Sequence, residues 1–414
     1  MKTSPIILKS LLYFFVLFFK PIITHAQIVG SNAYMKGNYI EIGINGVGGF
    51  EGVDTTLSPL LSGMHFRSGT TLFGFVANPQ TDGWANFDGD FFTTGTPENG
   101  WGIQIGNVSG AGGYSNNCNN PSNFGVPQID IPGSITSWYH SGASTTTVWD
   151  GNDSISGLHF KIKYTLGDTD LFYITTILLT NNSSTPINNI YFYRNLDPDN
   201  NVSINGNYST NNTIISQYGN CSGCMARVSA TQTLPWNSYF EFLAIDTGYV
   251  SGFGGFSNRN GYNMYSGGSG LVQTIGSTQN VDEAIYLAYK IDSLPISGNI
   301  SFRFASIFTP NAVLAAIAAL QSPIINSDKE IEKTIKVSIY PNPITDKAVI
   351  SISDNIVLNN ASIHFYDVLG TKIKSIVIQS HEAILNKVDL SSGLYYYKLM
   401  NGGKQITAGK LIVN

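Results

Sequence analysis

Charged residues are scarce in this chain of 414 residues. Asp, Glu, Lys and Arg make up 12% of it, about half the share found in average soluble domains. Acids outnumber bases by 27 to 22, and the excess acid lies in residues 27–329. Such a balance argues against a nucleic-acid-binding surface, because phosphate recognition needs clustered Lys and Arg. The apolar share of 42% argues equally against a disordered chain.

Cysteine is almost absent as well. The three cysteines are Cys118, Cys221 and Cys224. In an oxidising compartment they permit one disulfide and leave one thiol over. The spacing of Cys221 and Cys224 is that of a redox or half-zinc motif, but neither a second CxxC nor a βαβ pattern accompanies it. We therefore expect a bridge that tightens a loop, within this pair or to Cys118.

Long apolar runs are missing except at the N-terminus. Residues 1–26 combine Lys2 and Lys9, the run LLYFFVLFF and a small-residue cleavage site at Ala26, which is the pattern of a secretory signal peptide. The run is too short to span a bilayer. We therefore expect Sec-dependent export to the periplasm and a mature protein without a transmembrane segment.

The common catalytic signatures are also absent. The chain contains no GxSxG elbow, no HExxH, no P-loop and no GxGxxG entering a helix. The histidines of the body are His65, His140 and His159, far apart in sequence. We therefore assign no catalytic residue from the sequence.

What the chain does contain is a long succession of short segments that alternate apolar and polar residues. Gly, Asn, Asp and Pro separate them, which is typical of antiparallel strands joined by tight turns. The pattern predicts an all-β protein with a large antiparallel β-sandwich in residues 27–320; two smaller sandwiches are the alternative. One helix is predicted over Ala312–Leu320, started by Thr309-Pro310-Asn311. Residues 321–335 lose the periodicity and are predicted to be a linker.

The C-terminal residues 336–414 again alternate and carry several linked motifs. These are the turn Tyr340-Pro341-Asn342-Pro343, the turn from Asp367 to Gly370, the run Gly393-Leu394-Tyr395, and the basic residue Lys410 of the last strand. In this order they resemble the type A C-terminal sorting domain of substrates of the type IX secretion system of Bacteroidota. The resemblance implies a small immunoglobulin-like β-sandwich, contact with the type IX secretion machinery, and a protein that is secreted or held on the outer cell surface.

The sharpest polar series of the body is formed by Asp197, Asp199 and Asn201. A D-x-D-x-N series after a strand presents the oxygen ligands that calcium prefers. It is not an EF-hand loop, because Val202 stands where that loop needs Gly and Tyr208 stands where it needs Glu. Asx-turns, in which these side chains cap their own backbone, are the alternative. Calcium is therefore a candidate cofactor at these three residues.

A second group, formed by Trp84, Asp88 and Asp90, combines an aromatic ring with two carboxylates. Sugar-binding sites stack the sugar on such rings and hydrogen-bond its hydroxyls, and a glycosidase also needs two carboxylates. Aromatic residues equally build the cores of β-sandwiches, and Asp88 and Asp90 fit a turn around Gly89. We predict a glycan-binding site at these three residues, without catalysis.

These observations lead to a prediction for the body as a non-catalytic binding or adhesion module for carbohydrate. Two alternatives remain open. One is a secreted polysaccharide-active hydrolase that uses a carboxylate pair, and the other is a structural component of the cell surface or matrix. Glycan hydrolysis that is lost on substitution of Asp88 or Asp90 favours the first alternative, and self-assembly without a ligand favours the second.

Overall fold

The chain divides into two compact units, Met1–Pro323 and Ile324–Asn414, which are described separately. The computed structural model describes residues 26–49, 51–54, 63–65, 72–78, 83–88, 99–107, 114–115, 131–198, 206–218, 225–233, 237–254, 260–323, 337–352, 358, 360–368, 370–402 and 404–414. Within these residues, no helix has the length and the apolar character needed to cross a membrane.

Three antiparallel sheets build the first unit, with strands numbered along the chain. The largest contains, in spatial order, β18 (Thr278–Val281), β14 (Thr210–Ser216), β15 (Ala226–Gln232), β16 (Ser238–Ala244), β20 (Asn299–Ile307), β12 (Phe172–Asn181), β11 (Leu158–Gly167), β10 (Ser144–Asn152) and β9 (Gly133–Ser141). The second contains β17 (Tyr249–Phe253), β19 (Ile285–Leu294), β13 (Ile187–Leu196), β7 (Asn99–Ile105) and β8 (Tyr114–Ser115). The third contains β1 (Ala26–Val29), β2 (Asn32–Lys36), β3 (Ile40–Ile44), β5 (Leu72–Asn78) and β4 (Val53–Asp54), with β6 (Gly83–Asp88) also paired to β5.

The nine-stranded and five-stranded sheets face each other across one hydrophobic core. Alternate residues of β11 are buried, as expected for a strand with one face on the core. Phe302 of the larger sheet meets Phe192 and Tyr289 of the smaller one, at ring-centroid distances of 5.2 and 4.4 Å. Trp101 and Phe160 join the two sheets in the same way at 5.0 Å. The predicted all-β fold with a large antiparallel sandwich is thereby confirmed.

The predicted helix is present as α2 (Val313–Gln321), and a shorter helix, α1 (Gly261–Ser266), precedes it in the chain. Thr309 caps a 3-10 turn before α2 by accepting a hydrogen bond from the backbone N of Asn311 at 3.4 Å. Ala316 and Leu320 of α2 then pack against buried residues on the nine-stranded sheet, which are Phe172, Leu243, Ala305 and Ile307. The helix therefore covers part of the outer face of the sandwich.

The second unit consists of a three-stranded and a four-stranded antiparallel sheet. The first contains β21 (Val337–Tyr340), β22 (Lys347–Ile352) and β25 (Glu382–Asn386). The second contains β24 (Lys372–Ile378), β23 (Ala361–Tyr366), β26 (Gly393–Asn401) and β27 (Lys404–Val413). Ile350, Phe365, Leu399 and Leu411 belong to a core of its own. The small β domain predicted at the C-terminus is therefore present.

Candidate ligand-binding sites

The predicted calcium and glycan residues are only partly within the described residues. Asp197 follows β13, and its side chain is buried. Asp199, Asn201, Asp90 and the cysteines Cys118, Cys221 and Cys224 lie outside the described residues. Among the described residues, no three His, Cys, Asp or Glu side chains are grouped so as to hold a metal ion. Calcium at Asp197, Asp199 and Asn201 therefore stays a prediction.

Trp84 lies in β6, which ends at Asp88, and the surrounding residues hold its ring in place. The ring stacks on that of His65 with centroids 4.0 Å apart and an interplanar angle of 4°. Its Nε1 donates to the backbone O of Asn38 at 2.6 Å. Because the ring is half-buried and fixed on two sides, it is oriented before any ligand arrives.

A buried carboxylate organises the neighbours of Trp84. Glu41 of β3 is fully buried, and His65 approaches its Oε1 through Nδ1 at 2.9 Å and donates its backbone N to Oε2 at 2.7 Å. Lys36 Nζ lies 2.9 Å from the same Oε1. We call Lys36, Asn38, Glu41, His65 and Trp84 the Trp84 cluster. These partners come from segments far apart in the chain, so no local sequence pattern marks them as neighbours of Trp84.

The carboxylates of Asp168 and Asp170 lie near the turn between β2 and β3, which contains Asn38. The backbone N of Asn38 donates to the backbone O of Asp168 at 2.7 Å. His140 Nδ1 is 3.6 Å from Asp168 Oδ1. Partial burial, and then the nearby charge of Asp168, raise the pKa of the Asp170 carboxyl. The turn thus joins Trp84 on one side to an acidic pair on the other.

A buried ion pair lies inside the first unit. Arg194 Nη2 contacts Glu51 Oε2 at 3.0 Å and Asn99 Oδ1 at 2.9 Å. Tyr173 donates its hydroxyl to Glu51 Oε1 at 2.6 Å, and burial followed by the charge of Glu51 raises the pKa of this hydroxyl. Since these side chains are almost completely buried, the network holds the fold together and is closed to a ligand.

A polar cavity in the first unit was not predicted from the sequence. It has a volume of about 680 Å³ and lies where the end of β15 and the start of β16 meet the 3-10 turn that precedes α2. Its lining residues are Thr231, Gln232, Thr233, Asn237, Ser238, Tyr239, Thr309, Pro310 and Asn311. We call it the Tyr239 pocket. The pairing of β16 with β20 brings its two chain segments together, since Glu241 lies opposite Ile307.

Tyr239 forms a fixed wall of this pocket. Its hydroxyl donates to Glu241 Oε2. Glu241 is fully buried and held by Arg227, whose Nε lies 2.6 Å from Oε1 and whose Nη2 lies 3.1 Å from Oε2. Burial, followed by the negative charge of Glu241, raises the pKa of Tyr239 far above its ordinary value of 10.0. The tyrosine is therefore neutral at physiological pH and its ring has one orientation.

In the second unit, the Tyr340–Pro343 turn is fastened to the last strand. Asn342 Oδ1 accepts from the backbone N of Ile412 at 2.9 Å, and its Nδ2 donates to the backbone O of Lys410 at 3.4 Å. Ile344 continues the contact, because its backbone N donates to the O of Ile412 at 2.8 Å. The peptide bonds preceding Pro341 and Pro343 are cis. The first and last motifs of the predicted sorting signal thus meet in space.

The other predicted sorting residues hold turns and strand ends. Asp367 Oδ1 accepts from the backbone N of Thr371 at 2.8 Å, and Gly370 adopts the φ of +85° that this turn requires. Tyr395 donates its hydroxyl to the backbone O of Ser391 at 2.9 Å. Gly393 and Leu394 begin β26 opposite Val413 and Ile412. These residues are therefore structural parts of one small domain.

Residues 338–414 match the family described as the secretion system C-terminal sorting domain. The class of this unit is thereby established, and the resemblance found in the sequence is confirmed. The protein carries a type IX secretion C-terminal sorting domain, and is accordingly exported by that system to be secreted or held on the outer surface. None of the curated proteins compared matches the chain.

The solved structures that match this chain include three proteins whose names refer to carbohydrates. A polysaccharide lyase is 11% identical, with 91% of this chain and 47% of that chain covered and a TM-score of 0.32. A bacterial glucoamylase complexed with acarbose is 9% identical, with 71% and 33% covered and a TM-score of 0.36. A galactose mutarotase related enzyme from Lactobacillus acidophilus is 9% identical, with 67% and 97% covered and a TM-score of 0.27. The chain spans less than half the length of the first two, and likeness at these TM-scores supports no conclusion about function.

Proposed function

We propose that the body of this exported protein is a non-catalytic carbohydrate-binding module and that the Tyr239 pocket is its ligand site. The observation that supports this proposal is the composition of the cavity wall. Hydroxyl and amide groups surround a volume typical of small-ligand sites, next to one fixed aromatic ring. Sugars offer many hydroxyls and an apolar ring face, so neutral donors and acceptors with an aromatic wall suit them.

The same wall argues against chemistry in this pocket. The lining residues that the structure describes include no carboxylate, imidazole or thiol, whereas glycoside hydrolysis needs two carboxyl groups on either side of the bond. The carboxylate that touches the wall, Glu241, is fully buried and bonded to Arg227 and Tyr239. A hydrolase that uses Asp88 and Asp90 remains the alternative.

Trp84 is proposed as a second sugar contact, together with Asp88 and Asp90. The fixed orientation of its ring against His65 supports this role, because an aromatic platform that is already immobile loses little entropy on binding. Calcium at Asp197, Asp199 and Asn201 is proposed as a support of the neighbouring loop. Thermal unfolding in EDTA and in added calcium tests it, since a bound ion raises the melting temperature.

The test of the ligand site is a glycan array followed by titration calorimetry on the full chain. We expect Tyr239→Ala to weaken binding about tenfold or more, because the ring wall is removed. Tyr239→Phe keeps the ring and should bind within about twofold of the wild type. Asn237→Ala and Asn311→Ala change exposed polar residues of the rim and should each weaken binding.

Three results would overturn parts of the proposal. Unchanged affinity in Tyr239→Ala, Asn237→Ala and Asn311→Ala, with loss in Trp84→Ala, would move the site to the Trp84 cluster. Release of shorter glycans by the wild type would favour the hydrolase. Absence of binding to any glycan, by a wild-type protein with a cooperative melting transition, would refute carbohydrate recognition.

A further inference from the structure

The four-stranded sheet of the sorting domain has an unusual charge balance. None of its strands, β23, β24, β26 and β27, contains an Asp or a Glu. They contain the lysines Lys372, Lys374, Lys398, Lys404 and Lys410. Since the whole chain carries a net charge of −5, this sheet is a positive element of a negative protein.

The strand register decides which side chains share the outward face of this sheet. Tyr366 lies opposite Tyr396, which lies opposite Lys410. Leu394 lies opposite Ile412, and Lys398 follows Tyr396 by two residues and therefore shares its face. Phe365, Tyr397 and Leu399 point to the other side and are buried. We call Tyr366, Leu394, Tyr396, Lys398, Lys410 and Ile412 the basic face.

The basic face is largely exposed, and none of the carboxylates that the structure describes pairs with its two lysines. Tyr396 is 49% exposed, Ile412 41% and Leu394 39%. Lys398 Nζ lies 5.4 Å from the centre of the Tyr366 ring, a cation–π contact that orients the ammonium group. Among the described residues no carboxylate forms an ion pair with Lys398 or Lys410, whereas Lys374, on the core side, pairs with Asp389 at 2.9 Å.

A shallow depression lies between the last two strands of the sheet. It has a volume of about 480 Å³ and is lined in part by Tyr396, Lys398 and Lys410. Lys398 and Lys410 therefore lie beside the Tyr396 ring, with Leu394 and Ile412 as an apolar border. Their Cα positions are set by the strand register, so the two positive charges suit carboxylates on a partner protein, because charge complementarity across an interface determines register and orientation.

We propose that the basic face is the docking surface of the sorting domain for an acidic surface of a protein of the type IX export machinery. Export through that machinery follows from the family of residues 338–414. An acidic partner surface would complement the charges of Lys398 and Lys410, and the apolar border would add the desolvated contact that charge pairs alone do not provide. The proposal concerns the sorting domain and does not depend on the ligand of the body.

The test uses the full chain, expressed in a cell with a type IX secretion system. The double variant Lys398→Glu/Lys410→Glu reverses the charge of the face. We expect its exported fraction to fall by about tenfold, because like charges meet across the interface. Lys398→Arg/Lys410→Arg keeps the charge and should be exported as the wild type. The matched control is Lys347→Glu/Lys387→Glu, which makes the same change of net charge on and next to the three-stranded sheet.

Melting temperature separates docking from folding, since each variant must retain the second transition of the wild type. The proposal is overturned if Lys398→Glu/Lys410→Glu is exported as well as the wild type. It is also overturned if the exported fraction of the control variant falls by the same factor. Phosphatidylglycerol vesicles provide a further arm. Binding of the wild type to them, lost in the charge-reversed variant, would make the face a lipid-binding surface instead. Glycan binding by the body should be the same in all variants.

Discussion

Arg194 shows how a single charged side chain can be buried in a β-sandwich. Its guanidinium donates to Glu51, to Asn99 and to the backbone O of Gly100 at 3.0 Å, so that its charge and most of its donors are matched. Burial of a charge is tolerated only with this degree of pairing. Its partner Glu51 lies 143 residues earlier in the chain.

Removal of the guanidinium should therefore be costly. We expect Arg194→Met to lower the free energy of unfolding of the body by about 3–5 kcal/mol, because Glu51 is left as a buried charge without its cation. Chemical denaturation measures it. The double variant Glu51→Gln/Arg194→Met should cost less than the sum of the single variants. Additive effects would contradict a direct interaction.

Asp170 is expected to make stability depend on pH. Its pKa in the folded protein is raised above its ordinary value of 3.8, by burial first and then by Asp168. The folded protein therefore holds this proton more tightly than the unfolded chain, and ionisation of this carboxyl lowers stability as the pH rises through 3.8 and through the raised pKa. Asp170→Asn removes this loss.

The melting temperature of Asp170→Asn should equal that of the wild type at about pH 3 and exceed it at pH 7. A difference that is the same at both pH values would show that the amide acts through packing alone. A lower melting temperature of the variant at pH 7 would contradict the direction of the shift.

At the scale of the elements, the last strand of the sorting domain is secured by a side chain. Asn342 pairs with the backbone of Ile412 and Lys410, and so takes the place of a neighbouring strand at this end of β27. An edge strand with unpaired backbone groups is prone to fray or to pair with another chain. The turn Tyr340–Pro343 therefore stabilises the very strand that ends the domain.

We expect Asn342→Ala to increase hydrogen exchange at the Ile412 amide by about fivefold, the equivalent of about 1 kcal/mol for a lost hydrogen bond. The matched control is Asn386→Ala, because Asn386 is exposed and its side chain makes no cap hydrogen bond. Unchanged exchange in Asn342→Ala would mean that the Asn342 side chain does not protect the Ile412 amide.

Many of the strands and the second helix could be predicted from the sequence, whereas Tyr249–Phe253 and the candidate pocket could not. Leu158–Gly167 alternates buried and half-buried residues, and this period of two is visible in the sequence. Thr309 and Pro310 likewise signal the start of the helix. The lining residues Thr231, Asn237 and Asn311 come from a strand end, a connection and a 3-10 turn, and no local sequence pattern indicates that their segments meet.

At the scale of the whole molecule, the two units have separate hydrophobic cores. Phe302 belongs to the core of the first and Phe365 to that of the second, and the two clusters share no residue. A unit with its own core is expected to unfold as its own cooperative transition.

Scanning calorimetry should therefore show two transitions. Phe302→Ala should lower the melting temperature of one of them and Phe365→Ala that of the other, each through a loss of about 3–5 kcal/mol from a core cavity. A shift of both transitions by either substitution would contradict the division into independent units.

The sequence by itself determined the all-β class, the positions of many of the strands and the export route. Each of these is encoded locally, in alternation, in turn residues and in motifs of the C-terminal residues. Only the tertiary structure decided that Glu51 meets Arg194, that Tyr239 and Thr309 line one cavity, and that Lys398 and Lys410 stand on one exposed face. The physical reason is that strand pairing joins segments distant in the sequence, and no local sequence pattern predicts which side chains this pairing brings together.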